Sequence, residues 1–240
     1  MRRRTLFFGG GALIVVVVLV AVGGYLYFFS GLRQAPRPLT LSSPPASGSP
    51  QAAPDLAGKW GVQSGSQVGY RVHEQFVDQS SPHDAVARTS GVSGGLAIQQ
   101  AGSGLQATGV SITARLADLH SVDQVAGRDV SSRDRIVSRA LDVESAPDAT
   151  FSAPSVAIPA SAVRGETVQL TVPGQLTVHG TARPAQANLE GRASGGRLQL
   201  AGTVPLTMTD FGVTPPQVPF VRVPPQVTVE VQLALTKSPS

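Results

Sequence analysis

From Lys59 onward the chain alternates between apolar and polar residues. Val68, Tyr70 and Val72 interleave with Gly69, Arg71 and His73. Val110, Ile112, Ala114 and Leu116 interleave with Ser111, Thr113 and Arg115. The longest run is Val168, Leu170, Val172, Gly174, Leu176 and Val178, with Thr167, Gln169, Thr171, Gln175, Thr177 and His179 in the alternate places. Leu198, Leu200, Val204, Leu206 and Met208 repeat the pattern after Ser194-Gly195-Gly196, and Val227, Val229, Val231, Leu233 and Leu235 close the chain in the same way. A period of two sends successive side chains to opposite faces of a strand, so each segment offers one apolar and one polar face. Eight or nine mostly antiparallel strands are predicted, forming a closed barrel or a sandwich: an all-β fold. Leu105 and Ala107 have the parity opposite to Val110, which predicts a bulge at Gly109. Pro173 and Pro205 lack a ladder N–H and predict edges or bulges where they stand.

One stretch breaks this period. Gly127 to Phe151 is rich in charge and reads as helix. Ser131 and Asp134 have capping-box spacing. Ile136, Val137, Ala140 and Leu141 then share one helical face, while Arg133, Asp134, Arg135 and Arg139 take the others. Pro147 ends the segment. The expectation is a short amphipathic helix laid against the β-structure, either as a plug or as a gate.

The N-terminal part has a different character. Leu6 to Phe29 is 24 residues without a charge. That length spans about 30 Å of hydrocarbon as a helix. Arg2, Arg3 and Arg4 precede it and place the N-terminus in the cytoplasm by the positive-inside rule. A cleaved signal peptide would have a shorter apolar core and a small-residue cleavage site, so residues 1–30 read as an uncleaved single-pass anchor. Gly31 to Gly58 holds six prolines among Ser, Ala and Gln. This composition reads as a disordered, semi-rigid tether over residues 31–58, reaching at most about 80–90 Å. Residues 59–240 are then expected to form the extracytoplasmic domain.

Composition excludes several functions. With no cysteine, disulfides, thiolate metal sites and cysteine nucleophiles are ruled out. The net charge of +4 is misleading. Arg2, Arg3, Arg4, Arg33 and Arg37 lie ahead of Lys59, as does Asp55, which leaves the domain with equal numbers of acidic and basic residues. Nucleic-acid binding needs a concentrated basic face and is not expected. His73, His83, His120 and His179 stand at no metal-ligand spacing, so no metal site is expected. No Gly-x-Ser-x-Gly elbow or phosphate loop occurs, and the carboxylates Asp129, Asp134, Asp142 and Glu144 each have an arginine nearby. A binding protein is expected, without catalytic residues. The apolar faces are mostly Val, Leu and Ala, with few aromatics. Small linings suit a barrel with a ligand cavity, although a solid core serving a non-lipid envelope interaction module fits the same pattern.

Several stretches, in order, resemble the YceI-like family. Trp60 with Ser66, Val68, Tyr70 and Val72 resembles its opening strand. Arg133-Asp134, Leu141-Asp142-Val143, Pro147 and Phe151 resemble its central signature. Leu176-Thr177-Val178-His179-Gly180, with Arg183-Pro184 after it, resembles its Leu-Thr-hydrophobic-His-Gly strand and turn. Asp210-Phe211-Gly212-Val213 resembles its Asp-Phe-Gly segment. Arg135 to Asp142 departs from the family pattern, as does the membrane anchor. The resemblance implies an extended lipocalin-like antiparallel barrel in the bacterial cell envelope. It also implies a pocket for a long isoprenoid-type or similar amphiphilic lipid, such as a polyisoprenoid or quinone.

For such a pocket the expected lining is Val68, Tyr70, Val72, Val110, Ile112, Phe151, Val168, Leu170, Leu176, Val178, Val229 and Val231. Arg133, Asp134, Arg139 and Asp210 are candidates to contact the headgroup or to anchor the helix by ion pairing. His179, just before Gly180, is expected to make a structural hydrogen bond across its turn. The partners expected are a long-chain lipid and, through residues 6–29, the cell membrane.

Overall fold

The computed structural model describes residues 35–42, 55–77, 82–125 and 129–238. The expected span at residues 6–29 lies outside them. Among the described residues no helix is long and apolar enough to cross a membrane.

The strands are β1 (Gly58–Val62), β2 (Gln67–Phe76), β3 (His83–Thr89), β4 (Val92–Ala101), β5 (Gly104–Arg115), β6 (His120–Ser121), β7 (Asp148–Ile158), β8 (Val168–Val178), β9 (Thr181–Ser194), β10 (Arg197–Thr207), β11 (Val221–Arg222) and β12 (Gln226–Lys237). Two helices join them, α1 (Ser131–Ala140) and α2 (Ala160–Val163). All the pairings are antiparallel. β1 and β2 act as one strand broken at Gln63–Ser66, and both pair with β12. Ser66 secures the break: its hydroxyl donates to Gln63 O at 2.8 Å and accepts from Ala234 N at 3.0 Å. β3 and β4 are similarly separated at Ser90-Gly91. With each broken pair counted once, eight antiparallel strands close into a barrel, one of the two architectures the alternation allows and the one the resemblance implies.

Local features follow the sequence in most places. Gly109 takes φ +59 and the β5 ladder skips it, giving the expected bulge. Pro173 lies beyond the last β7–β8 pair, Ser152↔Gln175, and Pro205 beyond the last β9–β10 pair, Thr203↔Asn188. Each proline therefore has one flank without a ladder, where its missing N–H leaves no gap. His179 and Gly180 both have positive φ, +52 and +68, in the two-residue β8–β9 turn. That is the turn geometry that matches strand twist.

The capping box does not form. Ser131 is the first helical residue, and its N–H and hydroxyl both donate to the Asp129 carboxylate, at 2.9 and 2.8 Å. Asp134 accepts instead from Ser121 N and Oγ, at 3.0 and 2.6 Å, and ties α1 to β6. The helix also ends at Ala140, well before Pro147, in a turn where Asp142 has φ +48.

The two ends of the barrel differ. At one end Leu56, Trp60, Ile98, Ala162, Leu233 and Leu235 form a buried cluster, with Trp60 Nε1 donating to Leu56 O at 2.8 Å. The other end carries α1, a 3₁₀ turn at Met208–Phe211 and the segment that follows it. Part of the stretch expected to be a disordered tether is laid along the outside of the barrel: residues 35–42 cross its outer wall, and Leu39 among them is buried.

Candidate functional site

The barrel is hollow. Its cavity has a volume of about 620 Å³ and receives side chains from both ends and from the strands around the ring. Pockets that hold small-molecule ligands are typically ~300–1,000 Å³. The lining follows from strand parity: β2 turns Val68, Tyr70 and Val72 inward, β12 turns Val229, Val231 and Leu233, and β8 turns Val168 to Val178 on alternate positions. All twelve residues expected to line a pocket border this cavity. Val110, Ile112, Leu170, Val229 and Val231 point inward yet are only half-buried, because the space in front of them is empty. In a solid core such side chains would be sealed at native packing density.

The cavity is closed at the Trp60 end, where Leu56, Ile98, Ala162, Val168 and Ala193 line it and are all buried. Its exposed lining residues, Asp129, Ser132, Ile136 and Phe220, all stand at the α1 end. The mouth is therefore beside α1, whose Ile136, Val137 and Ala140 form part of the wall. The amphipathic face read from the sequence is the face turned to the cavity.

Just inside the mouth lies a polar cluster. Arg133 reaches in from α1; its Nη1 donates to Asp123 Oδ1 at 2.7 Å and its Nη2 to Glu74 Oε2 at 3.2 Å. Asp123 also accepts from His83 Nε2 at 2.7 Å and from Val86 N at 3.0 Å. Burial pushes the Asp123 carboxyl up, but the hydrogen bonds from His83, Arg133 and Val86 outweigh it and hold the group at about 2. At Glu74 burial wins over the pull of Arg133, and its carboxyl is raised. Burial raises the Tyr70 hydroxyl as well, so it remains a neutral donor. Tyr70 and Glu74 both line the cavity beside Arg133, and the Tyr70 hydroxyl makes no hydrogen bond among the described residues.

Of the residues expected at a headgroup, only Arg133 borders the cavity. Asp134 is spent on Ser121. Arg139 is exposed and lies outside the lining. Asp210 is exposed, and its carbonyl accepts from Arg183 Nε at 2.9 Å. His179 makes a structural contact, but not across its own turn as expected: its Nδ1 lies 3.3 Å from Phe211 O and ties the β8–β9 turn to the 3₁₀ turn. The sequence reading missed Glu74, although it shares the parity of Val68, Tyr70 and Val72 and so had to face inward. Asp123 and His83 carried no comparable signal, since their partners are distant in sequence.

A family model described as the YceI-like domain matches residues 62–235. Two solved structures share the fold. The chain is 16% identical to a polyisoprenoid binding domain from Saccharophagus degradans implicated in plant cell wall breakdown, with a TM-score of 0.51, covering 77% of this chain and 100% of that one. It is 19% identical to Burkholderia cenocepacia BcnA, also with a TM-score of 0.51, covering 72% of this chain and 98% of that one. No curated protein matches the chain in sequence. The match at residues 62–235 covers most of the chain and coincides with the hollow barrel and its α1 mouth: the chain belongs to the YceI-like family.

Proposed function

We propose that this protein holds one long-chain isoprenoid-type or similar amphiphilic lipid inside its barrel, at the outer face of the cell membrane to which residues 6–29 anchor it. The observation that carries the reading is the cavity itself, mostly apolar and closed at the far end, with Glu74, Asp129 and Arg133 gathered near the mouth. That arrangement takes an apolar tail into the barrel and keeps a polar head at α1. The polyisoprenoid-binding domain that shares the fold supports the same ligand class.

The cluster also bears on the head. Arg133 is already faced by Glu74 and Asp123, so it has no spare positive charge for a phosphate. An uncharged head with hydrogen-bonding oxygens, such as a quinone or an alcohol, suits Tyr70 and Arg133 better. Binding, not catalysis, is what the apolar lining serves. Each buried methylene is worth ~0.8 kcal/mol against water, so a 40-carbon tail would sum to about 30 kcal/mol, beyond the observed affinity ceiling of about 18–21 kcal/mol. The competing site is the bilayer, where the tail is already dry. Preference for the protein is then modest and reversible, as a carrier, store or sensor requires.

Organic extraction of the purified full-length protein, followed by mass spectrometry, tests this reading. The expected result is one predominant long-chain species at close to one per chain. Val178→Trp should fill the cavity and abolish that species while leaving the β-sheet circular dichroism unchanged. A chain free of lipid that takes up neither a quinone nor a polyprenol would sink the proposal.

A further inference from the structure

The outer face of a barrel strand is ordinarily wet, yet Glu230, on the outward parity of β12, is 2% exposed. Arg71 Nε and Arg88 Nη2 lie 2.6 and 3.2 Å from its carboxylate. Residues 35–42 run across this pair as a strap. Pro36 O accepts from Arg71 Nη2 at 2.6 Å, Arg37 O from Arg88 Nη2 at 2.6 Å, Thr40 O from Gln232 Nε2 at 2.9 Å, and Ser42 O from Arg192 Nη2.

The ladder gives the strap a direction. Arg71 is level with Thr228, and Arg88 is level with Glu230 through Gly69. Gln232 follows, and Arg192 is level with Ala234 through Gln199. The strap thus climbs β12 from residue 228 towards residue 234, away from the mouth and towards the Trp60 end. Its first residue is the one nearest the mouth. Five residues separate Ala35 from Phe29, where the apolar run ends. Fully extended, they reach about 20 Å, against the 80–90 Å of an unattached tether.

The mouth has the surface to match. Among the described residues four large apolar side chains are exposed, and three of them, Val77 (66%), Ile136 (37%) and Phe220 (47%), stand at the mouth end. Val77 N donates to Phe220 O at 3.1 Å, so two of the three are held side by side on the rim. We infer that the strap holds the barrel mouth-down on the membrane, with this apolar rim resting on the lipid surface. A lipid then passes between bilayer and cavity without its tail crossing water. This rests on the proposed anchor and ligand.

The absence of cysteine makes the test clean, because a single introduced thiol is the only one to label. Full-length protein carrying a fluorophore at Gln217→Cys, near the mouth, or at Ser103→Cys, in the β4–β5 turn at the closed end, is reconstituted in phosphatidylcholine vesicles containing nitroxide-headgroup lipid. Quenching at position 217 should exceed that at position 103 several-fold. Leu39→Asp, which loosens the strap and changes no residue of a barrel strand, should bring the two positions to the same level. Val77→Asp should reduce quenching at position 217 alone. Equal quenching at both positions with the strap intact, or no response to Leu39→Asp, overturns the inference. Protein that does not insert into vesicles overturns it together with the anchor, while lipid extracted from the same sample would leave the ligand reading standing. The converse, divided quenching from a chain that carries no lipid, fails the ligand reading and supports the orientation.

Discussion

Two arginine–carboxylate clusters flank strand β2, one on each side of the barrel wall. Arg71 points outward to Glu230 and Asp84. Glu74, three residues later, points inward to Arg133. Each cluster contains a nearly sealed glutamate, Glu230 at 2% exposure and Glu74 at 6%. Their balance of charge differs. Outside, Arg71 and Arg88 match Glu230 and Asp84, and the Nη2 of each also grips a strap carbonyl. Inside, one arginine serves two carboxylates; burial, aided by the neighbouring Asp123, raises Glu74, and the Tyr70 hydroxyl faces the cavity. The outer cluster fastens a piece of chain, although it leaves Arg88 Nε and Arg192 Nε buried without a partner among the described residues. The inner one keeps hydrogen-bonding capacity in reserve. Similar residues thus make a clasp on one face and, in the proposed function, a head site on the other.

The sharpest way to break the comparison is Arg133→Ala. It strands Glu74 and Asp123 without their cation, and losing one partner of a buried pair costs about 3–5 kcal/mol. The melting temperature should drop by about 10 °C for a domain of this size, with calorimetry as the readout. Acid comes next. Asp123 is held at about 2 against an ordinary 3.8. Its contribution, about 2 kcal/mol, is therefore complete above pH 3.8 and is lost as pH falls towards 2. Glu74 has the opposite sign: its raised carboxyl makes folding most favourable below its ordinary 4.5 and less so as pH rises and it ionises. Urea melts should therefore show stability rising slightly from neutral pH to about 4.5 and falling below 3.8. Asp123→Asn should remove the low-pH fall. The smallest effect is expected at the outer cluster. Glu230→Gln keeps the shape and Arg71 keeps Asp84, so the loss should be about 1 kcal/mol. Its clearer sign is faster proteolysis within residues 35–42.

Strand parity carried much of the architecture. It is a local signal, so the inward set on β2, β5, β8 and β12 could be read without knowing which strands pair. The bulge at Gly109 and the unpaired flanks at Pro173 and Pro205 were legible for the same reason. What stayed hidden depends on contacts between distant residues. Asp123 acquires its role only when β3 and α1 meet around it. Asp134 has capping spacing, yet Ser121 offers it a hydroxyl and an amide that the sequence does not place nearby. The strap is the plainest case. Its residues are Ala, Pro, Arg, Leu, Thr and Ser, a composition that by itself cannot bury a core. They are ordered because Arg71, Arg88, Gln232 and Arg192 happen to lie in a row beneath them.

The ring is also unevenly laced. β5 and β7 share ten register pairs and β8 and β9 eleven, but β7 and β8 share only Thr150↔Thr177, Phe151↔Leu176 and Ser152↔Gln175. Beyond Ser152 the two strands part company. The girth of the barrel is therefore not fixed by hydrogen bonding around its whole circumference. Under the proposed function, this seam is where the wall has the fewest hydrogen bonds to hold it against a bulky tail.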